Sequence, residues 1–145
     1  MTAEFPLAVH ALVYLCHTKR VTSSQELAEN ICTNPARVRK VMKLLCRAGL
    51  LEAEHGKGSG YLYCPQSEQA TLAAVLRALQ ETPISMNWRS GDLDRECLVS
   101  SGMGAQMDHI YAQMNQQCFE WLDTVTIAAV STHIFGTGKE AHNEL

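Results

Sequence analysis

The sequence predicts a mainly α-helical chain, a winged helix-turn-helix with a two-stranded wing followed by a long C-terminal dimerisation helix. Three observations predict it: two short capped helical segments separated by a tight turn, a glycine-rich hairpin directly after them, and a long apolar seam near the C-terminus. The chain has 145 residues, enough to bury about two-thirds of its unfolded surface without crosslinks. Hydrophobic residues make up 46% and charged residues 19%, which excludes a disordered or collagen-like chain.

The first helix is predicted from Phe5, Leu7, Ala8, Ala11, Leu12 and Leu15, which recur at helical spacing and end near Thr18. Ser23 with Glu26 three residues later forms a capping box, and Leu27, Ala28 and Ile31 continue one face for about two turns. Asn34-Pro35 then supplies an N-cap and a proline at the first helical position, and Gly49 suits the left-handed residue past the other end. A third helix over 35–48 follows. Leu50–Glu54 and Tyr61–Cys64 bracket His55-Gly56-Lys57-Gly58-Ser59-Gly60, a hairpin placed where a wing belongs.

Leu72, Val75, Leu76 and Leu79 mark a fourth helix ending near Thr82-Pro83. Residues 83–98 have loop composition, with Asp92, Asp94 and Glu96 in an acidic run that suggests mobility. Beyond them Met103, Met107, Ile110, Met114, Cys118, Trp121, Leu122 and Val125 step by three or four along one helix assigned to 99–135. Such a helix approaches roughly 50 Å at about 1.5 Å per residue, too long to bury its seam on one small domain. Pairing with the same helix of a second chain is the expected solution, with Met103, Met107, Ile110, Met114, Trp121 and Val125 at the interface. The division is thus 1–82 for the winged domain, 83–98 for the loop, 99–135 for the helix and 136–145 for a flexible tail.

Charge is distributed unevenly. The net charge is −3, yet residues 1–63 hold eight of the twelve Lys and Arg against five acids, while residues 64–145 hold four against ten. A basic front half points to a polyanion there. On the third helix Val38, Val41, Met42 and Leu45 form one stripe, and five cations share fourteen residues with no acid. In a major groove Arg37, Arg39 and Lys40 lie near base edges, leaving Lys43 and Arg47 for phosphates. His55 and Lys57 on the wing suit the minor groove, and Ser24 and Asn34 complete the candidate DNA-contacting set. A solvated basic face and an ordinary glycine turn are the alternatives for these two features.

VTSSQELAENICTNPARVRKVMKLLCRAGLLEAEHGKGSGY, followed by TLAAVLRAL, resembles the Rrf-type bacterial winged-helix regulators, the group containing IscR, NsrR and CymR. FPLAVHALVYLC is similar to that family's first helix and LDTVTIAAV to its helix terminus. The resemblance implies a transcriptional regulator, most simply a repressor, binding a palindromic double-stranded DNA operator as a homodimer. Two departures concern DNA: the family's wing arginine is replaced by His55, and an acidic residue near the start of the recognition helix is replaced by Arg39. Guanine edges suit a guanidinium there.

A third departure concerns the cofactor. Cluster-binding members place three cysteines before the long helix, whereas residues 83–104 contain only Cys97, so an intrinsic iron-sulfur cluster is not expected. The resemblance is then to the clusterless branch, whose members sense oxidants or small molecules or form complexes with an enzyme. Cys97 at the foot of a helix, with Cys32 ahead of the recognition helix as resolver, forms a candidate redox switch. A reversible ligand between residues 83–96 and the long helix, or an adaptor that no longer reads DNA, are the rival readings.

The six cysteines show no CxxC pair, Cys16, Cys46 and Cys118 fall on apolar faces, and no metal site is expected. No nucleophile, histidine and acid arrangement stands out, so an enzyme is not expected. With no signal-peptide pattern at the start and no apolar run of about 20 residues, no membrane partner and a cytoplasmic location are expected.

Overall fold

The computed structural model describes residues 1–140, with side chains through Gly136. Helix α1 spans Glu4–Thr18, α2 Ser24–Ile31 and α3 Pro35–Arg47. Strands β1, Glu52–Glu54, and β2, Gly60–Leu62, form an antiparallel pair with Ala53 opposite Tyr61. Short helices α4, Pro65–Gln69, and α5, Leu72–Ala78, precede α6, Leu98–Leu122, and α7, Ile127–Glu140. The architecture is the mainly helical winged fold that the sequence predicts.

The core lies where α1, α2, α3 and α5 meet. Leu12 and Leu15 of α1, Leu27 of α2, Val38, Val41, Met42 and Leu45 of α3, and Val75 and Leu76 of α5 are fully buried there. The ends of α3 follow the sequence closely. The Asn34 side chain accepts from the Arg37 amide at 2.8 Å, and Gly49 takes φ 72° while the Leu50 amide donates to the Leu45 carbonyl at 3.0 Å. Ser23 caps α2 by accepting from the Glu26 amide at 3.1 Å.

The C-terminal half departs from the sequence expectation. Instead of one helix over 99–135, α6 ends at Leu122 and α7 begins at Ile127. The Leu72 amide donates to the Val125 carbonyl at 2.8 Å and the Ile127 amide to the Ala70 carbonyl at 2.9 Å, so the backbone leaves helical pairing for a bridge to the start of α5. Helix α7 then packs on α1 and α4, with Ile127 fully buried. Residues 136–140, assigned to a tail, lie within α7, and residues 141–145 of that assignment lie outside the described residues.

The fourth predicted helix is α5, which ends at Ala78 rather than near Thr82, and the short helix α4, which the spacing did not mark, precedes it. The 83–98 segment is held along α6 rather than loose. Asn115 exchanges two hydrogen bonds with the Ile84 backbone at 2.8 and 3.0 Å, Arg89 pairs with Asp108 at 2.8 Å, and the Asp92 amide donates to the Ser100 carbonyl at 3.1 Å. Spacing rules read contacts within an element, and these run between elements.

Candidate nucleic-acid interface

Helix α3 presents its two faces as the sequence requires. Its apolar stripe is wholly inside, while Arg39, Lys40, Lys43 and Arg47 are exposed. Arg37 is half-buried and pairs through Nε with Glu4 of α1 at 3.5 Å. Arg39 donates from Nη1 to the Ser24 hydroxyl at 3.3 Å, joining two residues of the predicted set across the α2–α3 turn. Asn34 is the structural cap of α3, its side-chain oxygen already accepting from the Arg37 amide. The angle between α1 and α2 is fixed by Glu26, which accepts from Tyr14 Oη at 2.8 Å and from both terminal nitrogens of Arg20. The Arg20 and Tyr14 donors hold the Glu26 carboxyl below its ordinary value.

The wing is tied to the helices by a residue that spacing did not reveal. Thr22 is buried, and it exchanges two backbone hydrogen bonds with Tyr61 at 3.0 and 2.9 Å, adding a one-residue third strand to the hairpin. The hairpin therefore projects from the same turn that precedes α2. Its tip, His55 to Ser59, is exposed, with Gly56 and Gly58 at φ 98° and 87°, conformations that glycine adopts without strain. His55 and Lys57 stand at that exposed tip, flanked by exposed Glu52 and Glu54 on β1.

The two candidate redox residues are both exposed free thiols on different elements. Cys32 ends α2 in the left-handed region, φ 60°, just ahead of α3. Cys97 is the N-cap residue of α6, where the Ser100 and Val99 amides hold its thiol below the ordinary cysteine value. The structure thus gives Cys97 the helix-end environment, but does not pair it with Cys32 within one chain. Cys16 is the opposite case, buried and pushed up to about 12 by desolvation, while Cys64 is buried against the Ser67 hydroxyl at 3.1 Å.

Helix α6 spans about 37 Å at 1.5 Å per residue, yet only Gly104 and Leu122 on it are buried. Met103, Ile110, Met114 and Trp121 are exposed and Met107 half-exposed, a stripe lacking cover among the described residues. Val125 does not belong to it. It is half-buried against the core in the α6–α7 turn, because its carbonyl is drawn to the Leu72 amide. Between the 83–97 segment and α6 lies a groove of about 560 Å³ that includes Met86, Trp88, Met103, Met107 and Tyr111. Trp88 lines this groove and is 74% exposed.

The family model described as Rrf2, iron-dependent transcriptional regulator, matches residues 1–133. Among solved structures, a transcriptional regulator assigned to Lactobacillus plantarum is similar with TM-score 0.81 and 20% identity, covering 99% of this chain and 97% of that one. The IscR of T. potens is similar with TM-score 0.67 and 15% identity over 92% and 87% of the two chains. CymR, described as the global cysteine regulator of B. subtilis, gives TM-score 0.66 and 15% identity over 92% and 96%. At these identities the likeness is one of fold. No curated protein matches the sequence significantly.

The family description names iron, and an iron centre requires a set of donor side chains. Among the described residues no three His, Cys, Asp or Glu side chains are grouped to hold a metal ion. The segment before α6 offers one thiol, Cys97, whereas an iron-sulfur cluster takes four donors, thiolates above all. The residues present do not fit such a cluster. No described helix is long and apolar enough to cross a membrane.

Proposed function

The chain belongs to the Rrf2 family of DNA-binding transcriptional regulators, which are not enzymes, and from that premise we propose that it is a cytoplasmic homodimeric repressor released from a palindromic operator by oxidation of Cys97. The observation that carries the DNA-binding part is α3, whose apolar stripe is wholly buried and whose Arg39, Lys40, Lys43 and Arg47 all face outward with no acid on the helix. Two copies of residues 35–47 enter successive major grooves, with the N-terminal cations at base edges and Lys43 and Arg47 on phosphates. The His55–Gly60 wing lies against the minor groove. Pairing of the exposed stripe on α6 supplies the twofold axis that a palindrome requires.

Release follows from the thiol. The Cys97 thiolate attacks one oxygen of hydrogen peroxide, the O–O bond breaks, the other oxygen leaves as hydroxide that is protonated to water, and the sulfur becomes a sulfenic acid. Cys32 of a second chain then attacks that sulfur, expelling water and forming a disulfide that reorients the α2–α3 units. The groove between residues 83–97 and α6 favours a second reading, a reversible apolar effector bound against Trp88, Met103 and Met107.

Gel-shift binding to promoter fragments over a salt series tests the DNA reading. One fragment should be preferred, with affinity falling about 10³-fold or more between 50 and 200 mM salt where six or more phosphates are neutralised. Equal, feeble binding to every fragment would instead support an adaptor. Peroxide should release the preferred fragment and give a covalent dimer on a non-reducing gel. Both effects should vanish in Cys97→Ser; a mutant still released by peroxide would leave the effector groove as the sensor.

A further inference from the structure

Of the five cations on α3, Arg37 is the one that meets a carboxylate of another helix among the described residues. Glu4 Oε1 of α1 faces Arg37 Nε at 3.5 Å. On its other side Glu4 Oε2 lies 2.7 Å from the Thr2 hydroxyl, whose single proton is shared with the Glu81 carboxylate, and the Thr2 amide donates to Glu81 Oε2 at 2.7 Å. Glu4 and Glu81 thus converge on Thr2, which ties the start of α1 to the segment after α5. The Thr2 hydrogen bond, with Arg37 adding to it, holds the Glu4 carboxyl below its ordinary value.

The geometry of the contact divides the guanidinium. Glu4 meets it at Nε, the root of the fork, which leaves the two terminal nitrogens as a pair of parallel donors. A pair of donors so spaced matches the O6 and N7 acceptors of guanine, and a fork fixed in advance loses less rotational freedom on binding. With α3 seated in a major groove, a carboxylate beside it repels phosphate and so weakens binding to any duplex.

We propose that Glu4 is a positioning residue for sequence readout: it sets the Arg37 fork toward one base pair in each half-site at the expense of overall affinity. The inference rests on the DNA reading proposed above. It predicts that Glu4→Gln binds random duplex more tightly, by a few fold at low salt, while its preference at one base pair per half-site flattens by about tenfold.

The test is selection of binding sequences from a randomised duplex pool by wild type, Glu4→Gln, Arg37→Ala and the double variant, each checked for an unchanged thermal midpoint. Support requires that Glu4→Gln and Arg37→Ala flatten the same position, and that adding Glu4→Gln to Arg37→Ala flattens nothing further. If Glu4→Gln raises affinity and keeps every preference, Glu4 merely neutralises charge and the proposal fails. Loss of preference at all positions alike would show a general disturbance of α1 and also overturns it. Should wild type itself enrich no sequence, the DNA reading falls first, an outcome distinct from selective failure of the variant.

Discussion

Gly60 is a position where only a hydrogen fits, since a Cβ there would lie 2.5 Å from the Thr22 carbonyl oxygen and 2.8 Å from its carbon. Those atoms are backbone, and they belong to the bridge that fastens the wing. Gly60→Ala must separate Tyr61 from Thr22, and a loss of about 1–3 kcal/mol is expected in the urea midpoint, as for other overpacked sites. DNA affinity should fall with it, since the wing tip loses its mount; an unchanged midpoint would remove the bridge from the account. Cysteines show the same dependence on surroundings. Cys97 is exposed and its thiol is held low by the Ser100 and Val99 amides, whereas burial pushes Cys16 up to about 12. Brief alkylation of the native protein near neutral pH, followed by mass spectrometry, should label Cys97 early and Cys16 only after urea. Labelling of Cys16 at the rate of Cys97 would mean that α1 is not packed as described.

The starts of α2 and α3 and the end of α3 are decided by local hydrogen bonds and were legible in the sequence, whereas the start of α1 at Ala3 has no side-chain cap. Ser23 with Glu26, Asn34 with Pro35, and Gly49 all do in the structure what their residue types allow. Asn34→Ala should cost about 1 kcal/mol in chemical denaturation, the usual loss for a side-chain cap; no loss would imply that Pro35 alone starts the helix. The exposed cations of α3 were legible for the same reason, because period and charge reside within one element. What remained hidden was pairing between elements: Arg37 with Glu4, Thr22 with Tyr61, and the break at 123–126, where a run of apolar spacing continued through a turn. That break is pinned by Asp123, which accepts from Arg77 at 3.1 and 2.7 Å and from the Thr71 hydroxyl at 3.0 Å. Arg77 is the largest cause holding the Asp123 carboxyl below its ordinary 3.8. A depressed carboxylate stabilises the fold above the unfolded value and gives that up as pH falls through the lower folded value. Protection of the Leu72 and Ile127 amides, taken relative to the exchange of an unstructured peptide at the same pH, should therefore fall only below about pH 4 in wild type. In Asp123→Asn that protection should be reduced at every pH, and a variant whose protection still rises with pH across the acid range would assign the effect to another acid.

At the scale of the whole molecule, most of α6 is left uncovered by the described residues of one chain. An isolated helix gains little from propensity, and its stability in a protein comes from burying an apolar face. Leu122 and Phe119 at its end reach the core, whereas Leu98, Val99, Met103, Ile110 and Met114 along the rest are exposed. The 83–97 segment covers one side of it through Ile84, Arg89 and Asp92 and leaves that stripe open. A second copy of the same helix would close the stripe with matching side chains, and would link two α3 units so that the second half-site is met at a high effective concentration. Ile110→Glu with Met114→Glu places two charges in that contact without touching the winged core. The wild type should sediment at twice the 16.0 kDa chain mass, and the double variant at the single mass with the α1–α5 core still folded. Preferred-site affinity should then fall by about 10²-fold or more while binding to one half-site persists. A wild type that sediments as a single chain, or a charged variant that stays paired, would mean that the stripe on α6 is not the dimer contact, and the palindromic reading would fall with it.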